Sequence, residues 1–129
     1  MDVDGVAKYW IELADEDWPV AEHLLASGDY HYALFFGHLY LEKLLKALVV
    51  KATGEHAPRT HNLMFLAERA GLDLPPEMED IFLRATGYSI DARYPGEGSS
   101  ARRRYTATHA QSELNALKEA GQWLKSRLK

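Results

Sequence analysis

The sequence contains no cysteine, and this one absence excludes several classes of site. Disulfides, thiolate-bound metals, iron–sulfur clusters and cysteine nucleophiles all require a thiol. Apolar stretches are also too short to span a bilayer, which takes about 20 consecutive apolar residues. The first five residues, MDVDG, have neither the basic region nor the apolar core of a signal peptide. We therefore expect a soluble, cytoplasmic protein without membrane association.

The 129 residues correspond in size to one globular domain. A folded chain of this length hides about two-thirds of the surface that its unfolded form exposes, so one hydrophobic core can stabilise it. There is no internal repeat, low-complexity tract or linker. We expect a single domain over residues 1–129.

Charge is unevenly distributed along the chain. Residues 1–90 carry 7 Lys or Arg and 15 Asp or Glu, whereas residues 91–129 carry 8 and 4. The overall net charge of −4 argues against a dedicated duplex-DNA binder, which normally has a basic domain. The basic C-terminal part is either a solvated surface of mixed charge or a patch that attracts a phosphate or a short RNA.

Apolar residues recur three and four positions apart, which is the period of helices, and no segment alternates as a strand does. The pattern predicts an all-α, up-and-down antiparallel bundle of four main helices and one short helix. Pro19 predicts a kink near residues 15–19 or, alternatively, two shorter helices of which Asp15 starts the second. The next predicted elements are a helix over 30–53 ended by Gly54 and a short helix over 61–70 capped by Thr60. A further helix is predicted to start within residues 74–77 and to run to about Gly87, followed by a loop over 88–100 and a helix over 101–128.

Sequence motifs exclude several catalytic classes. Neither Glu-x-x-His nor His-Glu-x-x-His occurs, and no Gly-rich phosphate loop or Gly-x-Ser-x-Gly is present. His38 and Glu42 lie four residues apart, which favours a hydrogen-bonded pair over two ligands of a metal ion. Residues 96–100, GEGSS, are better interpreted as a connector than as an anion-binding loop. We therefore predict no metal site.

Asp17 projects beside apolar positions of the first helix, so it is predicted to be partly buried. A buried carboxylate requires partners, because removing it from water costs on the order of several kcal/mol. A Tyr, an Arg or the loop around Arg93 can supply them. A structural role that links helices is favoured over a catalytic one.

Three stretches, taken together, resemble the HEPN family (higher eukaryotes and prokaryotes nucleotide-binding domain). Residues 14–21, ADEDWPVA, are similar to the family's A-x-x-D-L-x-x-A helix, which a G-x-Y break follows. Residues 42–48, EKLLKAL, and 58–63, PRTHNL, resemble its E-K-x-L-K-A-L and P-x-T-H-x-L motifs. Residues 88–95 end in ARYP, as the family's loop does. The resemblance covers about residues 7–127.

The resemblance implies a bundle of four to five helices that assembles as a homodimer or a higher homo-oligomer. Small HEPN proteins are commonly encoded beside a minimal nucleotidyltransferase (MNT), with which they form a toxin–antitoxin-like pair. The resemblance therefore implies an MNT-type partner and a nucleotide or RNA ligand. It implies no cofactor.

Many HEPN toxins are ribonucleases that use an R-x(4–6)-H motif, in which the His activates a ribose hydroxyl and the Arg stabilises the phosphate. Arg104 and His109 form such a pair, and Arg102 and Arg103 also fit the spacing. The run of three arginines makes an accidental match easy, and Gln111 replaces the Tyr that often follows the His. The alternative is a solvated basic surface formed by Arg102–Arg104, with His109 as an ordinary helix residue.

Arg93 and Tyr94 are the other candidates for ligand contact. Loop residues on a rigid bundle are good places for binding, and Arg93 can hold a phosphate while Tyr94 stacks on a base. The alternative is that Arg93 pairs with a buried acid such as Asp17 while Pro95 fixes the turn. His61 is predicted to cap or orient the short third helix.

Overall fold

The computed structural model describes residues 1–94 and 105–129, which form α-helices and no β-strand. The helices are α1 (Val3–Ala26), α2 (Tyr30–Thr53), α3 (Leu63–Arg69), α4 (Pro76–Arg93) and α5 (Ala107–Arg127). The predicted all-α bundle of four main helices and one short helix is thereby confirmed. Within these residues, no helix combines the length and the hydropathy that crossing a membrane requires.

Helix α2 is the central element of the bundle and packs against each of the other four helices. It is apolar on almost every side, which is the pattern of a helix with no free face. Fifteen of its 24 residues are buried. Among them are the polar or charged side chains of His31, His38, Glu42 and Lys46, and the last three belong to the site described below.

Helix α1 lies along α2 through a stripe of small residues. Ala7, Ala14 and Ala21 follow one another at seven-residue intervals, and each is at most 2% exposed. The helix continues through Pro19, so the alternative of two shorter helices is wrong. Pro19 is exposed, and the bundle therefore tolerates its missing backbone hydrogen bond.

Helix α3 begins later than predicted, because its cap is Asn62 and not Thr60. The Asn62 side chain accepts a hydrogen bond of 3.1 Å from the backbone N–H of Phe65. The Thr60 hydroxyl instead accepts from the backbone N–H of Asn62, at 3.2 Å. His61 therefore lies outside the helix, two residues before Leu63, and does not supply its cap.

Helix α4 extends six residues beyond its predicted end at Gly87, so the prediction of a loop from residue 88 is wrong for 88–93. Tyr88 and Ser89 are 8% and 3% exposed, respectively, and their burial against the bundle continues the helix past the glycine. Helix α5 begins at Ala107, capped by the Thr106 hydroxyl. The predicted start of that helix, residues 101–104, lies outside the described residues.

Candidate functional site

A polar face of α2 points toward the chain that leads into α3. His38, Glu42 and Lys46 occupy successive turns of the helix, four residues apart, and therefore lie on one side of it. All three are buried, at 0%, 4% and 8% exposure. Buried charged groups are costly unless they are paired and hydrogen-bonded, so their partners define the site.

Glu42 has a partner on each carboxylate oxygen. Its Oε1 lies 2.7 Å from Nδ1 of His61, and its Oε2 lies 3.2 Å from Nζ of Lys46. Because a carboxylate only accepts hydrogen bonds, Nδ1 of His61 is the donor in this contact. The His61 side chain is 55% exposed, and Nε2 makes no hydrogen bond with the described residues. The imidazole is thus hydrogen-bonded to a buried carboxylate through Nδ1, while much of the ring remains exposed to solvent.

His38 holds the backbone of His61. Its Nε2–H donates to the main-chain oxygen of His61 over 3.0 Å. Burial lowers the pKa of His38, and the nearby charges of His61 and Arg93 lower it further, while the hydrogen bond to the His61 carbonyl and the Glu42 carboxylate oppose this shift. His38 is therefore a neutral donor that fixes where His61 leaves the chain.

Arg93, in the last turn of α4, approaches the same imidazole. Its Nη2 lies 3.5 Å from Nδ1 of His61, its Nε donates to the Ser89 hydroxyl at 3.1 Å, and its guanidinium stacks 5.0 Å from the centre of the Phe35 ring. It forms no ion pair with a carboxylate among the described residues, so the alternative of a pairing with Asp17 is wrong. Tyr94 follows, 74% exposed. We call His38, Glu42, Lys46, His61 and Arg93 the His61–Arg93 site.

Asp17 is partly buried, as predicted, but its partner lies on α2. Its Oδ2 is 2.5 Å from Nζ of Lys43, and the two side chains are 13% and 20% exposed, respectively. This ion pair joins α1 to α2. It is consistent with the predicted structural role.

His109 lies in the first turn of α5, exposed to solvent, and stacks on the Tyr105 ring with centroids 5.8 Å apart. Its side chain makes no hydrogen bond among the described residues. Arg102, Arg103 and Arg104 lie outside the described residues. The convergence of these arginines and His109 on one phosphate therefore stays a prediction.

A second polar cluster, which the sequence patterns did not indicate, lies one turn along α5. Oε1 of Glu113 accepts hydrogen bonds from the Tyr88 hydroxyl and from Nε of Arg84, the latter at 2.7 Å. Burial tends to raise the pKa of Glu113, but the hydrogen bonds from Tyr88 and Arg84 outweigh it and bring the pKa below its ordinary value. This cluster joins α4 to α5.

The described residues contain no group of three side chains suited to hold a metal ion. The chemistry of the His61–Arg93 site is that of a guanidinium, an oriented imidazole and a buried ammonium–carboxylate pair. The guanidinium can bind an anionic ligand, and the imidazole can exchange a proton with it. His61 and Arg93 of this site were singled out in the sequence, whereas Glu42 and Lys46 show only an i, i+4 spacing, which alone indicates an ordinary helix-stabilising pair.

A sequence model of the HEPN domain matches residues 7–126. The chain belongs to the HEPN family. The fold agrees with two crystal structures, and no curated protein matches the sequence. That of TT1696 from Thermus thermophilus is 28% identical, with a TM-score of 0.80, and the similarity covers 93% of this chain and 96% of the other. That of ST0689, an archaeal HEPN homologue, is 25% identical, with a TM-score of 0.75 and coverage of 95% and 98%.

In this HEPN domain the His61–Arg93 site unites three of the family-like motifs. Glu42 comes from the E-K-x-L-K-A-L stretch, His61 from P-x-T-H-x-L and Arg93 from A-R-Y-P. These motifs lie on α2, on the turn before α3 and at the end of α4. Folding thus brings His61 into contact with Glu42, 19 positions earlier in the sequence, and with Arg93, 32 positions later.

Proposed function

We propose that this HEPN protein binds a nucleotide through its phosphate at the His61–Arg93 site. The supporting observation is that the Arg93 guanidinium lies 3.5 Å from the His61 imidazole and pairs with no carboxylate of the described residues. Because no carboxylate of the described residues occupies it, the guanidinium can offer its planar set of N–H donors to a phosphate, whose geometry it matches. The exposed ring of Tyr94, the next residue, is available to stack on the base.

The side chains of the site are already positioned to bind an anion. Ser89 and the Phe35 ring hold the guanidinium of Arg93 in place, so that binding costs little side-chain entropy. Lys46 offsets the negative charge of Glu42 from within the bundle. The exposed side of the site therefore presents positive charge and an imidazole.

Binding of adenosine monophosphate, compared with inorganic phosphate, tests this proposal by isothermal titration calorimetry. Arg93→Gln should weaken binding about tenfold or more, since a charge-assisted hydrogen bond contributes roughly 1.5–3 kcal/mol. Arg69→Gln, which changes an exposed arginine on α3, is the matched control and should bind as the wild type does. Equal affinities of the Arg93 and Arg69 variants would contradict the proposal.

We also propose that the protein works as a homodimer that pairs with a minimal nucleotidyltransferase in a toxin–antitoxin-like system in the cytoplasm. Membership of the HEPN family supports this assembly, since small HEPN proteins are commonly encoded beside such enzymes. Co-expression with the product of an adjacent nucleotidyltransferase gene should give one complex on size-exclusion chromatography. A HEPN protein that elutes alone, or a neighbouring gene of another kind, argues against the pairing.

The alternative function is a metal-independent endoribonuclease that uses Arg104 and His109. The exposure of His109 at the start of α5, where an RNA phosphate can reach it, favours this candidate. Incubation of the protein with RNA in the presence of EDTA, beside a His109→Ala variant, tests it. Cleavage that is absent, or that is equal in both proteins, removes this assignment.

A further inference from the structure

We propose that a second pocket, formed by α1, α2 and the chain that follows α2, binds a small organic anion, either a carboxylate or a phosphate ester. The pocket has a volume of about 450 Å³, which lies in the range of small-molecule sites. We call it the Trp10–Arg59 pocket. It is lined by Trp10, Lys46, His56, Ala57, Pro58 and Arg59.

The Trp10–Arg59 pocket shares Lys46 with the His61–Arg93 site but is otherwise separate from it. Neither His61 nor Arg93 lines the pocket. Glu42 connects the two places, because its Oε1 contacts His61 and its Oε2 contacts Lys46. The inference does not depend on the proposed nucleotide binding.

The ammonium of Lys46 has N–H groups that no described residue uses. It lies 3.2 Å from Oε2 of Glu42 and 5.1 Å from the centre of the Trp10 ring, and it makes no other hydrogen bond with the described residues. Lys46 is 8% exposed. An ammonium has three N–H donors, and a buried charged group is costly unless it is hydrogen-bonded. An anion in the pocket can therefore accept a hydrogen bond that Glu42 leaves available.

Two further basic side chains line the pocket from the chain between α2 and α3. His56 and Arg59 are exposed, and neither forms a hydrogen bond or an ion pair with the described residues. No acidic side chain of the described residues lines the pocket. The pocket therefore presents positive charge to a ligand, although the whole chain carries a net charge of −4. A guanidinium beside an ammonium is suited to charge-assisted hydrogen bonds with an oxyanion.

The other lining residues favour an anion that carries an apolar group. Trp10, Ala57 and Pro58 are each partly buried and form the apolar part of the wall. An inorganic ion would contact only the basic residues, whereas an aromatic or branched acid would also remove apolar surface from water. The lining thus indicates an organic acid or an organic phosphate ester.

Benzoate and phenyl phosphate are the probes that test this inference, and benzamide, which resembles benzoate but is neutral, is the ligand control. NMR follows the indole N–H signals of Trp10, Trp18 and Trp123, and the Trp10 signal is identified by its loss in Trp10→Phe. At least one anion should shift the Trp10 signal until it saturates and leave the other two nearly unchanged. Benzamide should shift none. A response to phenyl phosphate alone would assign a phosphate ester, and a response to benzoate alone a carboxylate.

Arg59→Gln should weaken binding of the responding anion about tenfold or more, because a hydrogen bond between charged groups is lost. Arg69→Gln, at an exposed arginine of α3, is the matched control and should bind as the wild type does. Both changes lie at exposed positions, so both variants should fold, and circular dichroism checks this.

Three results would overturn the inference: no shift of the Trp10 signal with either anion, an equal shift with benzamide, or an unchanged affinity in Arg59→Gln. Arg93→Gln separates this inference from the proposed function. If that variant loses the anion while Arg59→Gln retains it, the anion binds at the His61–Arg93 site. That result removes the pocket as a ligand site and leaves the nucleotide-binding proposal standing.

Discussion

The buried imidazole of His38 donates from Nε2 to the main-chain oxygen of His61 at 3.0 Å, and its Nδ1 has no hydrogen-bond partner among the described residues. A proton on Nδ1 would place an unpaired charge inside the bundle. Burial therefore lowers the pKa of His38 below its ordinary value of 6.5, although the Glu42 carboxylate opposes the shift. The helix face that positions the candidate site thus depends on a neutral histidine.

This relationship predicts that stability falls in mild acid. Below about pH 6.5, His38 binds a proton in the unfolded chain and resists it in the folded one, so the free energy of unfolding decreases until the pH reaches the lowered folded-state pKa. Urea unfolding of the wild type and of His38→Gln, between about pH 7.5 and about pH 5, measures the effect. The variant should lose less stability over this interval. Parallel curves for the two proteins would show that His38 does not titrate as inferred.

A second prediction concerns the ion pair between Asp17 and Lys43, whose side chains are 13% and 20% exposed. Asp17→Asn should lower the free energy of unfolding by about 1–3 kcal/mol, because it leaves a largely buried ammonium without its counter-charge. The exposed pair of Lys8 and Glu12, separated by 3.9 Å, is the matched control. Glu12→Gln should change stability by less than about 0.5 kcal/mol.

The cost at Asp17 should depend on its partner. In Lys43→Met the ammonium is already gone, so adding Asp17→Asn to that variant should cost less than the same change in the wild type. Chemical denaturation of the four proteins gives this double-mutant cycle. Additive effects would mean that the contact does not link α1 to α2 energetically.

The helices themselves could largely be predicted from local sequence. The bounds of α2 follow from its apolar pattern and from Gly54, whose left-handed φ of 71° ends the helix. Helix α4 could not be predicted beyond Gly87, because its last turns depend on the burial of Tyr88 and Ser89 by other helices. Local propensity contains no information about such tertiary burial.

The candidate site could be predicted in parts but not as an assembly. His61 and Arg93 stand out in the sequence, yet their proximity depends on how α4 returns to the start of α3. The i, i+4 spacing of Glu42 and Lys46 is common on exposed helix surfaces, and only the structure shows this pair buried. Lys43, the partner of Asp17, was not predicted because 26 residues separate the two.

A third prediction concerns the hydrogen bond between Tyr88 and Glu113. Burial raises the pKa of Tyr88, so its hydroxyl stays protonated and donates to the carboxylate, which in turn keeps the pKa of Glu113 low. A carboxyl with a lowered folded-state pKa stabilises the fold above its unfolded-state pKa, about 4.5, and this stabilisation is lost as the pH falls through the folded-state value.

Tyr88→Phe removes the donor and should cost about 1–3 kcal/mol at neutral pH, since the carboxylate loses a partner within the α4–α5 contact. The pKa of Glu113 should rise in the variant, which NMR titration of its side-chain carboxyl can follow. Tyr9→Phe, at a tyrosine that is 57% exposed, is the control and should change neither quantity. An unaltered pKa of Glu113 in Tyr88→Phe would contradict this account of its low value.

The last prediction contrasts two glycines inside helices. Gly121 of α5 lies under Tyr40, and a Cβ atom there would overlap the Tyr40 ring. That ring cannot withdraw easily, because it is 5% exposed and packs on Trp18 with centroids 4.9 Å apart. Gly121→Ala should therefore lower the free energy of unfolding by about 1–3 kcal/mol, as overpacking of a core does, despite the better helix propensity of alanine.

Gly87 of α4 provides the matched comparison, because no atom lies within 4 Å of a Cβ added there. Without a clash, only the helix propensity changes, so Gly87→Ala should raise stability by about 0.5–1 kcal/mol. Thermal unfolding of both variants measures the contrast. A stabilised Gly121→Ala would mean that α5 can move away from α2 at this contact, since the Tyr40 ring is confined by Trp18 on its other side.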